Sequence, residues 1–181
     1  MKDFVLKLTR KVVENFVKTG KKVAIPKKYP EEMKKKRGVF VTLHKKGMLR
    51  GCIGLPYPQK PLIEGLIDAA CSACQDPRFN PLEEDELEDI KIDVSVLTEP
   101  ELIKTKPENY SKEIEIGKHG LIIRSGMFSG LFLPQVPVEQ GWKLEEYLEN
   151  LCHKAGLPGR AWQDPEARLF KFETEAFSEG I

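Results

Sequence analysis

Three observations predict an α+β fold with a mainly antiparallel sheet and flanking helices. Alternating apolar runs come in pairs around glycine turns, at 39–54 and again at 121–133. Three other segments repeat their apolar residues at helical spacing. The helices and hairpins are mixed without regular alternation. At 181 residues the chain suits one domain or two small lobes sharing a core.

Phe4, Val5, Leu8, Val12, Val13, Phe16 and Val17 place an amphipathic helix over 4–18. A loop rich in proline and lysine runs from Gly20 to Arg37. Val39 to Leu43 then alternates as a strand, Lys45-Lys46-Gly47 turns, and Met48 to Gly54 returns. A three-residue loop keeps Val39, Val41 and Leu43 on one face with Leu49 and Ile53, whereas a two-residue loop mixes them with Arg50. The longer loop therefore predicts an opposite face of Phe40, Thr42, His44, Arg50 and Cys52.

A second helix runs from Pro61 to Gln75, with Ile63, Leu66, Ile67, Ala70 and Cys74 on its buried stripe. Asn80-Pro81-Leu82-Glu83 has the form of a helix start, with Asn80 as cap. Ile90 to Thr98 alternates as a strand, and 100–112 reads as irregular. Leu121-Ile122-Ile123 and Leu131-Phe132-Leu133 form a hairpin about the Gly126–Gly130 turn. Leu144, Tyr147, Leu148, Leu151 and Ala155 define a third helix ended by Gly156, and Leu169 to Phe177 supplies a last strand.

Composition bounds the function. An apolar fraction of 40% and a charged fraction of 31% describe an ordinary water-soluble protein. No apolar run approaches the roughly 20 residues that span a bilayer, and the start lacks a signal-peptide core. Four cysteines without framework spacing point to free thiols in a reducing cytoplasm. Abundant lysine and glutamate with sparse Asn and Gln fit a thermophile.

The net charge of +1 hides an asymmetry. Residues 1–50 hold 16 Lys and Arg against 4 Asp and Glu, while 51–181 hold 13 against 24. A basic third can bind phosphate backbones. It can equally fold against the acidic run Glu83-Glu84-Asp85-Glu86. No aromatic residues interleave the lysines as a stacking platform would, so nucleic acid ranks below a protein partner.

The stretch that carries chemistry is Leu49-Arg50-Gly51-Cys52-Ile53-Gly54. In a strand, Arg50 and Cys52 share a face, and a cationic neighbour favours thiolate over thiol. Gly51 and Gly54 leave room for a ligand beside the sulfur. Against this stands the inert reading, in which Cys52 is a small hydrophobe packed under a glycine-rich strand.

Beyond this stretch, Asp76-Pro77-Arg78-Phe79-Asn80-Pro81, Val94-Ser95-Val96-Leu97, Gly117-Lys118-His119-Gly120-Leu121, Leu133-Pro134-Gln135-Val136 and Lys154-Ala155-Gly156-Leu157 follow in order. Together these blocks resemble the AMMECR domain family from about residue 38 onward. The resemblance implies a two-lobed α+β fold whose larger lobe uses both chain ends, with the glycine-cysteine motif near the lobe junction. It implies no established activity, and names no cofactor. Relatives lie beside or are fused to a Memo-like protein and a radical SAM protein, which implies a shared pathway. Lys143 stands where relatives often have a capping Asp, and the Cys71/Cys74 pair lies outside the shared pattern.

A nucleophilic cysteine needs a base. His119, in its tight glycine loop, is favoured over His44, which lies on the Cys52 face but near the turn; His119 bonding only its own turn is the plain alternative. Asp76 and Arg78 form a local salt bridge, or Arg78 clamps a carboxylate or phosphate of a small anionic ligand. Gln135 lines the same cleft or bonds loop backbone. Cys71 and Cys74 sit near a helix C-terminus, where the dipole does not favour a thiolate, so packing is expected. A zinc site would need ligands from distant segments, and no metal is expected. Two functions follow: an enzyme or ligand-handling protein with a cleft at Cys52, or a non-catalytic regulatory module binding protein or nucleic acid.

Overall fold

The structure, a computed structural model, describes residues 1–180. Its first elements are α1 (Lys2–Thr19), β1 (Val39–Lys45), β2 (Met48–Leu55), α2 (Leu62–Ala73), β3 (Ile90–Leu97) and β4 (Glu101–Leu102). There follow α3 (Tyr110–Glu113), β5 (Gly120–Ser125), β6 (Phe128–Phe132), α4 (Gln135–Gln140), α5 (Leu144–Lys154), β7 (Arg168–Phe172) and β8 (Thr174–Ser178). The fold is α+β, with two compact units. One comprises Met1–Leu97 and the chain from Glu175 onward, so it uses both ends of the chain; the other is Thr98–Thr174.

The first unit holds a four-stranded sheet in the order β2-β1-β3-β8, with β1 antiparallel to both β2 and β3. Val39, Val41 and Leu43 of β1 and Ile92, Val94 and Val96 of β3 point to one face, where α1 and α2 cover them. Val5, Val12 and Val13 of α1 are fully buried there, each burial contributing roughly 1.5–3 kcal/mol. Gly20, at φ 67°, ends α1 in the left-handed conformation. The loop that follows contains a single 3-10 turn, Glu31–Lys34, which inserts Met33 into the core.

The β1–β2 turn differs from the three-residue loop expected. Lys45 pairs with Met48, and Lys46 (φ 52°) with Gly47 (φ 79°) forms a two-residue turn of left-handed residues. The register then slips: His44 faces Leu49, but Leu43 faces Gly51, so Arg50 is the extra residue of a β-bulge. The bulge restores the buried face that the longer loop was expected to secure. Val41 still pairs with Ile53 and Thr42 with Cys52, while Leu49 moves to the side of His44.

The expected helix start at Asn80 lies three residues later. Glu83 precedes a 3-10 helix over Glu84–Asp89, and Glu86 returns its carboxylate to the Glu83 N–H at 3.0 Å. Asn80 and Pro81 instead offer their carbonyls to Arg50.

The second unit has its own sheet, β4-β7-β5-β6, and its own core of Leu121, Ile123, Tyr147, Leu148, Leu151 and Leu169. Ser125 pairs with Phe128, so the β5–β6 turn is Gly126-Met127 and β6 begins before Leu131. Helix α5 packs against β6 so closely that a Cβ at Gly130 would meet the Ala155 main chain. Lys143 does not leave the α5 start bare, because Glu146 accepts the Lys143 N–H at 2.8 Å. The segment expected as irregular carries β4 and α3, and the single last strand is two, β7 and β8, one in each sheet.

Candidate functional site

Strand β2 is an edge of the first sheet, so one side of its backbone lacks a strand partner. At Cys52 that side is closed by side chains. The Cys52 N–H donates to Asp76 Oδ2 at 2.9 Å, and Arg78 Nη2 donates to the Cys52 carbonyl at 3.3 Å. The carboxylate and the guanidinium stand where a neighbouring strand would put a carbonyl and an amide. Asp76 can do this because α2 ends beside β2: a Cβ on Gly51 would strike the Ala73 carbonyl.

Asp76 is held by every neighbour it touches. Its Oδ1 accepts the Arg78 N–H at 3.0 Å and Nε at 3.1 Å, and Oδ2 accepts Arg78 Nη2 at 2.7 Å. The side chain is 1% exposed. The Arg78 guanidinium holds its carboxyl well below the usual carboxylate range, with the Cys52 and Arg78 amides adding to this.

Arg50 is not the cation beside Cys52. The bulge turns it to the loop after α2, where Nε and Nη2 grip the Glu86 carboxylate at 3.0 and 2.8 Å, and Nη1 reaches the Asn80 carbonyl at 2.9 Å. Arg50 and Lys45 together hold Glu86 down to about 2, the Arg50 hydrogen bond being the largest cause. The guanidinium next to Cys52 is Arg78, which is 57% exposed with Nε and Nη2 engaged and Nη1 without a hydrogen bond among the described residues.

On the face away from α1 and α2, three residues align across three strands: Cys52 opposite Thr42, and Thr42 opposite Asp93. The Thr42 hydroxyl donates to Cys52 Sγ across 3.2 Å. Two residues along β1 on the same face, His44 Nε2 meets Asp93 Oδ2 at 3.0 Å. Phe40 also lies on this face, as expected. Its ring occupies the position a Cβ of Gly54 would take, and the Ala73 carbonyl occupies that of Gly51. The space at both glycines is filled by the protein itself.

The remaining thiols differ from Cys52, which is half-buried. Cys71 and Cys74 are 3% and 2% exposed and Cys152 is fully buried. Burial pushes all three thiols up, Cys74 to about 12. Among the described residues no group of three or more His, Cys, Asp or Glu is arranged to hold a metal ion.

His119 and Gln135 belong to the second unit, not to that of Cys52. His119 Nδ1 accepts the Glu115 N–H at 2.9 Å within its own turn, and its carbonyl accepts the Tyr147 hydroxyl at 3.2 Å. Gln135 opens α4 after Pro134. Asp93 shows in the sequence only as a strand residue, because its alignment with Thr42 and Cys52 depends on pairing between β1 and a strand some fifty residues distant.

The AMMECR1 family pattern matches residues 6–177. The chain belongs to the AMMECR1 family. It is 47% identical over 183 residues to protein PH0010 of Pyrococcus horikoshii, covering 98% of this chain and 89% of that protein. It is 49% identical over 180 residues to protein MJ0810 of Methanocaldococcus jannaschii, covering 97% and 89%. Its fold matches the crystal structure of the uncharacterized protein PH0010 with a TM-score of 0.82 at 45% identity, over 99% of this chain and 92% of that one. The names of these relatives assign no activity. No helix among the described residues is long and apolar enough to cross a membrane.

Proposed function

We propose that this protein is a cytoplasmic enzyme or ligand-handling protein whose chemistry centres on Cys52, acting on a small anionic substrate that carries a carbonyl group. The observation that carries this reading is the Thr42 hydroxyl donating to a half-buried Cys52 Sγ at 3.2 Å. This hydrogen bond holds the sulfur in one orientation on the face away from α1 and α2, where it can act as a nucleophile. Arg78, whose Nη2 bonds the Cys52 carbonyl and whose Nη1 has no hydrogen bond among the described residues, is suited to a substrate carboxylate. His44, oriented by Asp93, supplies a proton-handling group on the same face. The step is addition of the thiol across the carbonyl: Sγ bonds to carbon, the π pair moves to oxygen, and the thiol proton ends on that oxygen.

The alternative module that binds nucleic acid gains little support from the basic third. Lys34 and Lys35 pair with Glu31 and Glu32, Lys22 pairs with Asp68, and Lys45 meets Glu86. The Memo-like and radical SAM proteins implied by the family resemblance enter this proposal as pathway neighbours.

The test is alkylation by iodoacetamide, followed by mass spectrometry. Cys52 is compared with a reference thiol placed on an exposed position by Ala176→Cys in a Cys52→Ser background. Cys52 is expected to react faster than the reference at pH 7, with Thr42→Val removing most of the difference. Glyoxylate, which joins a carboxylate to a carbonyl, is expected to protect Cys52, and Arg78→Gln to lift that protection. A Cys52 slower than the reference thiol would overturn the reading.

A further inference from the structure

In the first unit the arginines end on carboxylates. Arg10 pairs with Glu179, Arg37 with Glu175, Arg50 with Glu86 and Arg78 with Asp76. Arg124 and Arg168 of the second unit break this pattern. They are cross-strand partners, Arg124 on β5 directly opposite Arg168 on β7, and both are exposed. Among the described residues neither forms an ion pair or a side-chain hydrogen bond.

Like charges directly opposite on antiparallel strands, with Cβ atoms about 4.5–5.5 Å apart, destabilise a sheet. What these two share is an aromatic ring and no acid. The Phe170 ring centroid lies 5.2 Å from Arg124 Cζ and 5.6 Å from Arg168 Cζ. Phe170 stands two residues along β7 from Arg168, on the same face, so one ring serves both cations. Its π-face attracts a cation, but the ring has no net charge and no lone pair for an N–H fork. Two positive charges are thus gathered about one side chain without a counter-ion.

The chemistry of the missing anion follows from the pair. Each guanidinium offers its donors as a planar fork, and one carboxylate matches one such fork and one charge. A second fork and a second charge call for a larger anion. A phosphate monoester carries a charge of about −1.5 to −2 near pH 7 and three strong acceptor oxygens. It can accept from both forks at once and balance both cations.

We infer that Arg124 and Arg168 form a second binding site, in the unit that does not hold Cys52, for the phosphate group of a small phosphate monoester.

The test follows the Arg124 and Arg168 Nε–H signals by NMR in the whole protein, during titration with glycerol 3-phosphate at constant ionic strength. Both signals are expected to move and to saturate with one dissociation constant. Acetate and dimethyl phosphate, each with a single charge, are expected to bind about tenfold more weakly. Arg124→Gln should weaken the response of the Arg168 signal by about tenfold or more, and Arg168→Gln that of Arg124. The ester should raise the melting temperature of the parent protein and leave that of either variant unmoved. Without the ester, neither variant should melt lower than the parent, because each relieves a like-charge pair. Cys52→Ser should change none of these readings, which separates this site from chemistry at the thiol. No saturable movement up to about 10 mM ester, a range that covers millimolar affinity, would overturn the site. So would acetate or dimethyl phosphate binding as well as the ester. Lower melting of both variants with ester binding intact would assign the pair to packing on Phe170 alone, and would overturn it too.

Discussion

Cys52 offers its main-chain N–H to the buried carboxylate of Asp76, so the backbone of the candidate nucleophile is fixed by a side chain from the loop after α2. Ordinary sheet edges are left to water or shielded by charge. Here a charged pair closes the edge at a single residue, and the position of Sγ depends on it.

Acid should expose this dependence. A carboxyl whose folded pKa is depressed contributes stability that is fully present above its unfolded pKa and is lost as pH falls through the folded one. For Glu86 that window runs from the usual 4.5 down to about 2, and for Asp76 it opens below the usual 3.8. Asp76→Asn and Glu86→Gln should each flatten the fall in stability below pH 4.5, read from urea unfolding at successive pH values. At pH 7 Asp76→Ala should cost about 3 kcal/mol, because it strands a buried N–H and unpairs a guanidinium.

Arg50 and Arg78 should separate cleanly. Arg50→Ala removes the grip on Glu86 and two carbonyls, and should lower stability by about 1–3 kcal/mol while leaving the rate of Cys52 alkylation within about twofold. Arg78→Ala should slow that alkylation at pH 7, since it removes the guanidinium that holds Asp76 and the Cys52 carbonyl in place. Equal effects of the two substitutions on the alkylation rate would contradict the geometry.

The two glycines flanking Cys52 should tolerate a methyl group differently. Gly51→Ala drives a Cβ into the Ala73 carbonyl, which is helix backbone and cannot yield, so a loss of about 3 kcal/mol is expected. Gly54→Ala meets the Phe40 ring, and Phe40→Ala in the same chain should restore part of what Gly54→Ala loses. Chemical denaturation of the single and double variants measures both.

Lys46 is the one non-glycine residue with positive φ among the described residues, at 52°. Lys46→Asn places Asn-Gly in a turn of left-handed residues and should stabilise the hairpin by about 0.5–1 kcal/mol. A lower melting temperature in this variant would contradict the two-residue turn.

The elements legible in the sequence were those whose signal is local. Helices α1, α2 and α5 repeat apolar residues every three or four positions, and β1, β3 and β5 carry compact apolar runs. The face shared by Phe40, Thr42, His44 and Cys52 was legible for the same reason. Arg50 was misplaced because alternation breaks at a bulge, and nothing in 45–50 distinguishes a longer loop from a shorter one followed by an extra residue. His119 carried the loop and block signals of a site residue, but position along the chain does not disclose which unit a side chain serves.

By itself the sequence determined the α+β class, the family and the hairpin that carries Cys52. Those follow from periodicity and residue chemistry, which neighbouring residues express together. Tertiary structure alone decided that Arg78 rather than Arg50 stands at Cys52, that Asp76 completes the sheet edge, and that Asp93 lies in line with Thr42 and the sulfur. Each of these depends on pairing between segments far apart in the chain, where register is set by the packing of the whole core and not by any local pattern.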